Sequence, residues 1–472
     1  MSLSGALNSA VSGLQTTQGL SRIAADNVSN AMTPGYVRRQ GMLVSPGPGQ
    51  GGPVIGEVRR EVDASLQRLS RLENGKMAQY QVIQEGLNRY TAYLGQPGDG
   101  TSPADRFNDF QNSLTNLANM PSSNGTQTAA VLSAEDLVQS VRGAATTLGT
   151  TLNDVNMEIR YEVADLNQAL YQLRDLNVNR RDFGGGTLQS AQIDEKIDGL
   201  LDQISGILDT RVAVSSNGSI SIYTANGAAL LEGDYVQDVK FSPSDGTLMA
   251  GSQDITPFKD GVRGLRHGSL VGLTQLKREV IPRFSLQLDE YARGLVQSFE
   301  NADVTLSPGE AGLFTDNGLA FDPLNSVGLA SRLRLNDKVS LSGDGEVWRI
   351  RDGLGATEPG PASDSSQVVL FVEALANPVG ADPDTGIPTQ IDLKSFAAEM
   401  IASQASERAR SQNDFNAASS AAEVVMAARR NSEGVNIDDE MQQLMLIEQS
   451  YAANSRILTT VSEMIDTLIA AV

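Results

Sequence analysis

Apolar residues return along much of this chain at alternating steps of three and four, and the two ends carry that pattern in its barest form. Counting from Ile437 gives Ile437, Glu440, Leu444, Ile447, Tyr451, Asn454, Leu458, Val461, Ile465, Leu468 and Val472. Only Glu440 and Asn454 interrupt the apolar series, so the spacing predicts a helix with one coiled-coil seam. Asn436 is placed to cap it, and Asp438, Asp439 and Glu440 put negative charge on the first turn, where the helix dipole favours it. The other end is similar. Leu3 to Val28 reads as an amphipathic helix whose thin seam includes Leu3, Leu7, Leu14, Ile23 and Val28, and it runs into Asn30-Ala31-Met32-Thr33-Pro34-Gly35-Tyr36. Chain ends normally fray. Seams at both ends predict pairing with each other or with further copies. Burial of the C-terminal seam alone falls short of the entropy lost in ordering so long a helix. Both ends are therefore expected to be loosely ordered in the monomer and to fold on assembly.

Inward of Thr33-Pro34-Gly35 the pattern changes several times. Residues 44–55, with Pro46, Pro48 and Pro53 among glycines, read as an extended loop, followed by helices over 64–94 and, more briefly, 104–118. The most regular stretch steps from Ala134 through Val138, Val141, Ala145, Leu148, Leu152, Val155, Ile159, Glu162, Leu166, Ala169 and Leu173 to Leu176. It predicts a long coiled-coil helix, with Ser133 as its cap. Gly184-Gly185-Gly186 offers a turn before a second seam at Ile193, Ile197, Leu200, Ile204 and Ile207, and so short a connection makes the two helices antiparallel. After Arg211 the period falls to two. Val212 and Val214, then Asn217-Gly218, then Ile220 and Ile222 predict a hairpin, and β structure continues to about Pro257. Helix returns over 270–301, where Pro282 should kink or interrupt it. Residues 308–388 are rich in Gly, Pro and Asp, with strand-like stretches at 332–335, 347–350 and 368–374, and helix resumes over 393–429. This order predicts an α+β multidomain chain with discontinuous, nested domains. Terminal coiled-coil helices (1–45 and 431–472) would form one part, a central helical bundle (46–211, 262–305 and 390–430) a second, and an outer β domain (212–261 and 306–389) a third.

At 472 residues, with 40% hydrophobic and 20% charged positions, the chain has room for about three domains and the profile of a folded protein. Its formal net charge of −21 argues against nucleic-acid binding, which needs a basic stripe, and points to proteins as partners. No run approaches a membrane span, and the first residues lack a basic segment followed by an apolar one, so export is expected to use a route without a cleaved signal peptide. Candidate chemistry is sparse. Cysteine is absent and His267 is the single histidine, set in the loop-like Arg263-Gly264-Leu265-Arg266-His267-Gly268-Ser269, which excludes thiolate and multi-histidine metal sites. Gly184-Gly185-Gly186 lacks the Lys-Ser/Thr of a phosphate loop. Glu162 reads as a solvated acid at a bundle edge, and Asp382 and Asp384 as a turn, because the later glutamate of a calcium loop is missing. Nothing singles out a glycosidase-like acid pair. The expectation is a protein that is not an enzyme, with no catalytic residue, cofactor or metal.

Two stretches carry a resemblance. Asp26-Asn27-Val28-Ser29-Asn30-Ala31-Met32-Thr33-Pro34-Gly35-Tyr36 resembles the signature shared by bacterial flagellar rod, hook and hook-associated proteins. Gly434-Val435-Asn436-Ile437-Asp438-Asp439-Glu440, Gln449-Ser450-Tyr451-Ala452-Ala453-Asn454 and Met464-Ile465-Asp466-Thr467-Leu468 are similar to the matching C-terminal end. Inside the chain, the long coiled coil, Ile197-Asp198-Gly199-Leu200-Leu201-Asp202-Gln203-Ile204 and Gly268-Ser269-Leu270-Val271-Gly272-Leu273 resemble the hook-associated members, whereas rod and hook subunits usually lack the central helical bundle. One departure is Glu300-Asn301-Ala302-Asp303, where the family commonly has Asn, then His, Gly and Asp.

The resemblance implies a structural subunit of the zone between flagellar hook and filament, polymerising through its terminal helices. Its assembly contacts would fall on Leu3, Leu7, Leu14, Ile23, Val28, Asn30, Pro34, Gly35 and Tyr36, and on Ile437, Leu444, Ile447, Tyr451, Leu458, Val461, Ile465 and Leu468. The implied partners are the flagellar hook protein, the next hook-associated junction protein, copies of itself, and an export chaperone at the C-terminal helix, with no nucleic acid and no membrane. The implied location is extracellular, on the flagellum, reached by the flagellar type III pathway. Two alternatives stay open: a hook or distal rod subunit, and an enzyme domain within residues 308–390.

Overall fold

The computed structural model describes residues 3–45, 51–94, 99–183, 185–215, 218–341, 343 and 345–471. The first seam folds as α1 (Leu3–Asn30), stopped at a turn in which Gly35 takes φ = +80°, a left-handed conformation that costs glycine little. Two antiparallel strands follow, β1 (Arg39–Val44) and β2 (Val54–Arg60), with Arg39 opposite Arg60 and a bulge between Met42 and Leu43. The loop expected over 44–55 is thus shorter at both ends; its residues 46–50 lie outside the described residues. Gly41 explains the strand: with no Cβ it lets β1 lie against Leu20 and Ile23 of α1.

Next come α2 (Ala64–Leu94), α3 (Pro103–Asn119), α4 (Asn124–Asp182) and α5 (Leu188–Ile207). Ser133 does not cap α4. The helix begins upstream at Asn124, because Ala130 and Val131 are buried as fully as Ala134, and the Ser133 hydroxyl donates to the Ala130 carbonyl from inside the helix. α5 starts with a reciprocal capping box between Thr187 and Ser190. The period-two region is a four-stranded sheet, β3 (Thr210–Val214), β4 (Ile220–Thr224), β5 (Ala229–Glu232) and β6 (Tyr235–Val236). A three-stranded one follows, β7 (Val239–Ser242), β8 (Thr247–Ala250) and β9 (Gln253–Asp254). Val212 lies opposite Ile222, as in the expected hairpin; Asn217 of its turn is outside the described residues.

Helix returns as α6 (Ser269–Gln275), one π-helical turn over Leu276–Val280, and α7 (Ile281–Ala302). The wide turn sits just before Pro282, where the missing N–H breaks the normal ladder and the wider turn absorbs the break. The remaining elements are β10 (Phe314–Asp316), α8 (Leu329–Arg332), β11 (Leu333–Leu335), α9 (Arg349–Asp352), α10 (Ser366–Ala376), β12 (Pro378–Gly380), β13 (Gln390–Asp392), α11 (Leu393–Glu433) and α12 (Ile437–Ala470). Two stretches expected as strands are helical or turn: 347–350 leads into α9, and 368–374 is the body of α10. In α10, Val368, Phe371, Ala374 and Leu375 bury one helical face, and Phe371 packs 5.1 Å from Phe299 of α7. Tertiary burial at helical spacing overrides the β preference of the valines.

By packing, the chain divides into two units. One comprises Met1–Gln79, Tyr161–Val271 and Asn416–Val472. In it α12 lies along α1, the β1–β2 hairpin rests on α1, and two asparagines of α4 pair with strand backbone. Asn177 donates to the Ile220 carbonyl at 2.8 Å and accepts from its N–H at 2.9 Å; Asn167 does the same with Val239, at 2.8 Å each way. Each asparagine imitates a neighbouring strand.

The other unit comprises Tyr80–Arg160 and Gly272–Phe415. Its core is aromatic: Phe299 stands 5.0 Å from Phe314 and Phe110 lies 5.5 Å from Phe314, both edge-to-face, and Tyr291 packs 5.8 Å from Phe396. Asp303, at the departure from the family pattern, is buried and accepts the Leu354 amide at 2.7 Å.

Candidate assembly site

The α1–α12 pair is antiparallel, with Gly13 opposite Asn454 near its middle and Asn27 against Glu440 at one end. Its packing is thin. α1 buries Ala10, Gly13, Thr16, Thr17, Ile23, Ala24 and Asn27, and α12 buries only Glu440, Ile447 and Val461. Small residues let the backbones approach: a Cβ on Gly13 would stand 2.7 Å from the Asn454 side-chain nitrogen. Thr16 donates to the Pro53 carbonyl at 2.6 Å and Ser12 to the same oxygen at 2.9 Å, which holds the start of β2 on α1.

The sequence-derived positions divide by exposure. Ile23, Tyr36, Ile447 and Val461 are buried; Leu3, Leu7, Leu14, Val28, Asn30, Leu444, Leu458 and Ile465 are half-buried; Pro34, Gly35, Ile437, Tyr451 and Leu468 are exposed. Asn436 caps α12 by accepting the Asp438 amide at 3.0 Å. A cleft of about 660 Å³ opens beside the Thr33-Pro34-Gly35 turn, with Met32, Asn74, Met426, Arg430 and Val435 among its walls.

What fastens the two ends is polar. Asn27 is fully buried and uses its whole hydrogen-bonding capacity. Its Nδ2 donates to the Arg39 carbonyl at 2.9 Å and to Glu440 Oε2 at 3.1 Å, and its Oδ1 accepts the Tyr36 hydroxyl at 2.9 Å and the Arg39 amide at 3.1 Å. Glu440, 1% exposed, receives Arg38 Nε at 2.7 Å, and Arg38 reaches Glu61 at 3.2 Å with its other arm. The Arg38 backbone amide donates to the Glu433 carbonyl at 2.9 Å, so the segment after the turn is tied to the end of α11 as well as to α12. Arg39 pairs with Glu195 and lies 4.8 Å over the Tyr36 ring. A further chain runs from Glu433 through Arg429, Asp202, Arg71 and Asp198 to Arg60, with links of 2.7 to 3.0 Å.

Burial pushes the Tyr36 phenol up to about 12; the Arg39 charge opposes this, and the carboxylates of Glu195, Asp26 and Glu440 add to it. Burial pulls the Arg38 guanidinium down, but the hydrogen bond and charge of Glu440, with those of Glu61, leave it above its ordinary value. Asn27, Arg38, Glu440, Gly13 and Asn454 were not among the positions singled out for assembly. Their signal was present: Glu440 and Asn454 are the two polar members of the C-terminal seam.

Among the described residues no three metal-ligating side chains gather. His267 is held down by burial, and its Nδ1 lies 3.4 Å from Gln79 Oε1. Asp382 caps a short turn by accepting the Asp384 amide at 2.8 Å. The arrangement joins two chain ends and presents their outer faces.

Comparison with known proteins gives concordant likenesses. A family model described as the helical domain of flagellar hook-associated protein FlgK matches residues 88–305, and one described as the C-terminal part of flagellar basal body rod FlgEFG proteins matches 431–471. Flagellar hook-associated protein 1 of Escherichia coli is 23% identical over 99% of this chain and 100% of that protein. Its counterpart in Bacillus subtilis is 22% identical over 98% and 97%. A solved structure of the flagellar hook junction protein FlgK from Burkholderia pseudomallei aligns with a TM-score of 0.44 and 19% identity, over 53% of this chain and 47% of that one.

Proposed function

The chain belongs to the flagellar hook-associated protein 1 family, and from that premise we propose that it is a structural subunit of the junction between flagellar hook and filament, polymerising through α1 and α12. The observation that carries this reading is the polar lock of Asn27, Arg38 and Glu440, which joins the two chain ends while leaving most of α12 uncovered. Leu446, Ile457, Met464 and Leu468 are exposed along that helix. Four apolar side chains spaced along one thin helix are what a neighbouring subunit would cover.

On this reading residues 1–45 and 431–472 form the assembly domain, and the remaining segments set which layer of the axial structure the subunit occupies. The partners are the hook protein on one side, the next hook-associated protein on the other, and copies of this chain around the ring. An export chaperone would shield α12 before assembly, and delivery would follow the flagellar type III route to the cell exterior. The role is mechanical and needs no cofactor.

The test is to incubate the purified subunit with isolated hooks and examine their distal ends by electron microscopy. A single short layer is expected. Continued growth would favour a hook or rod subunit, and absence of binding would remove the axial reading altogether.

A further inference from the structure

Three arginines without a carboxylate partner converge on one cavity of the unit that holds both chain ends. The cavity measures about 460 Å³ and lies among α2, the passage from α5 into β3, and the segment before α6. Arg68, Arg211 and Arg266 line it; all three are exposed, and among the described residues none stands within ion-pairing distance of an acid. Their neighbours differ. Arg60 and Arg71 are already taken up by Asp198 and Asp202 at 2.7 to 3.0 Å. Leu72 and Val212 add an apolar wall. The one acid in the lining, Asp209, accepts the Arg266 backbone amide at 3.1 Å and forms no ion pair with the three guanidinium groups, and burial pushes its carboxyl up.

Charge decides what such a cavity takes. The chain carries 57 acidic against 36 basic residues, a net charge of −21, so copies brought together in a ring repel one another. A pocket of unpaired guanidinium groups offsets that repulsion if a neighbour's carboxylates enter it. We propose that the Arg68–Arg211–Arg266 cavity seats an acidic, partly apolar segment of a second copy of this chain in the assembled layer. The proposal rests on the junction reading above, because that reading supplies the neighbour. It adds a contact outside the terminal helices, with arginine as receptor and carboxylate as ligand.

The experiment uses the full chain with a photo-crosslinking side chain in place of Val212, layered onto isolated hooks. Crosslinks between two copies of the subunit are expected. With Arg68→Glu, Arg211→Glu and Arg266→Glu combined, copies per hook end should fall about tenfold at low salt, while the melting curve stays that of the parent, since no ion pair within the chain is lost. Glutamine at the same three positions should give a smaller loss, and raising the salt should weaken layering by the parent chain. A normal layer whose crosslinks go only to hook protein, or whose formation ignores the charge reversals, overturns this proposal and leaves the junction reading standing. A parent chain that forms no layer overturns both.

Discussion

Glu440 accepts the Arg38 guanidinium at 2.7 Å across 402 residues of chain, and this pair closes one end of the contact between the two chain ends. The carboxylate is 1% exposed whereas the Arg38 side chain is 22% exposed, so the two partners are unequal. Losing the arginine strands a buried charge; losing the acid leaves an arginine that still reaches Glu61 and water. Arg38→Ala should therefore destabilise the docking of α12 by about 3 kcal/mol, and Glu440→Gln, which keeps a carbonyl for the Asn27 amide, by less. A double-mutant cycle read by limited proteolysis of α12 checks this; equal single effects with no coupling would show that the pair does not hold the helix.

Tyr36 gives the lock a signature in alkali. Its folded pKa is raised from 10.0 to about 12, so the folded state keeps its phenolic proton where the unfolded chain has lost it. A raised folded value contributes stability that is fully present below pH 10.0 and is lost as pH rises towards about 12. Tyr36→Phe should abolish that part of the alkaline loss while costing about 1 kcal/mol at neutral pH, from the hydrogen bond to Asn27. Tyrosinate absorbance against pH, compared with unfolding at each pH, measures both effects. An unchanged alkaline profile in the variant would refute the assignment to Tyr36.

Gly268 is a place where only glycine fits. Its φ is +115°, and a Cβ there would run into the Ile207 carbonyl and the Leu208 backbone. Its own amide donates to the Gly75 carbonyl at 3.1 Å, so the backbone has no freedom to retreat. Gly268→Ala should cost about 3 kcal/mol or more, combining left-handed strain with a clash against main chain. Gly227, also at positive φ (+95°) but with open space around its Cβ position, is the control and should tolerate alanine with a smaller loss. Similar melting temperatures for the two variants would contradict the packing argument.

How far the sequence could be read depended on whether a residue's partner lies nearby in the chain. The spacing of Ile447 and Val461 marks the face that α12 buries, and the weak link at Pro282 was visible because proline acts on its own backbone. The strands β1 and β2 were hidden by the prolines and glycines between them, since their support comes from α1 rather than from a tight turn. Valines in Val368–Ala374 suggested a strand, and the helix became evident only with Phe371 packed on Phe299. Asn27 and Glu440 are bonded across 413 residues. Periodicity registers such residues only as interruptions, although a polar residue that keeps its place on an apolar seam is itself a sign of a specific partner.

The uneven burial of the terminal pair predicts a gradient of stability along it. Asn27, Tyr36 and Glu440 close one end with buried, fully bonded polar groups, whereas beyond Val461 α12 buries nothing and before Ala10 α1 buries nothing. Local opening should begin where few apolar contacts must be broken. Amide hydrogen exchange on the isolated subunit should be slowest around residues 23–39 and 440–447, and fastest over 3–9 and 462–470. Glu440→Ala should speed exchange along α12, because the polar anchor that closes that end is gone and only Ile447 and Val461 remain buried on the helix. Binding to hook ends should slow exchange chiefly at the open tips, the parts of the pair that the subunit alone leaves uncovered. Uniform protection along both helices in the free subunit would mean that the ends are complete without a neighbour, and the assembly role assigned to their exposed faces would then fail.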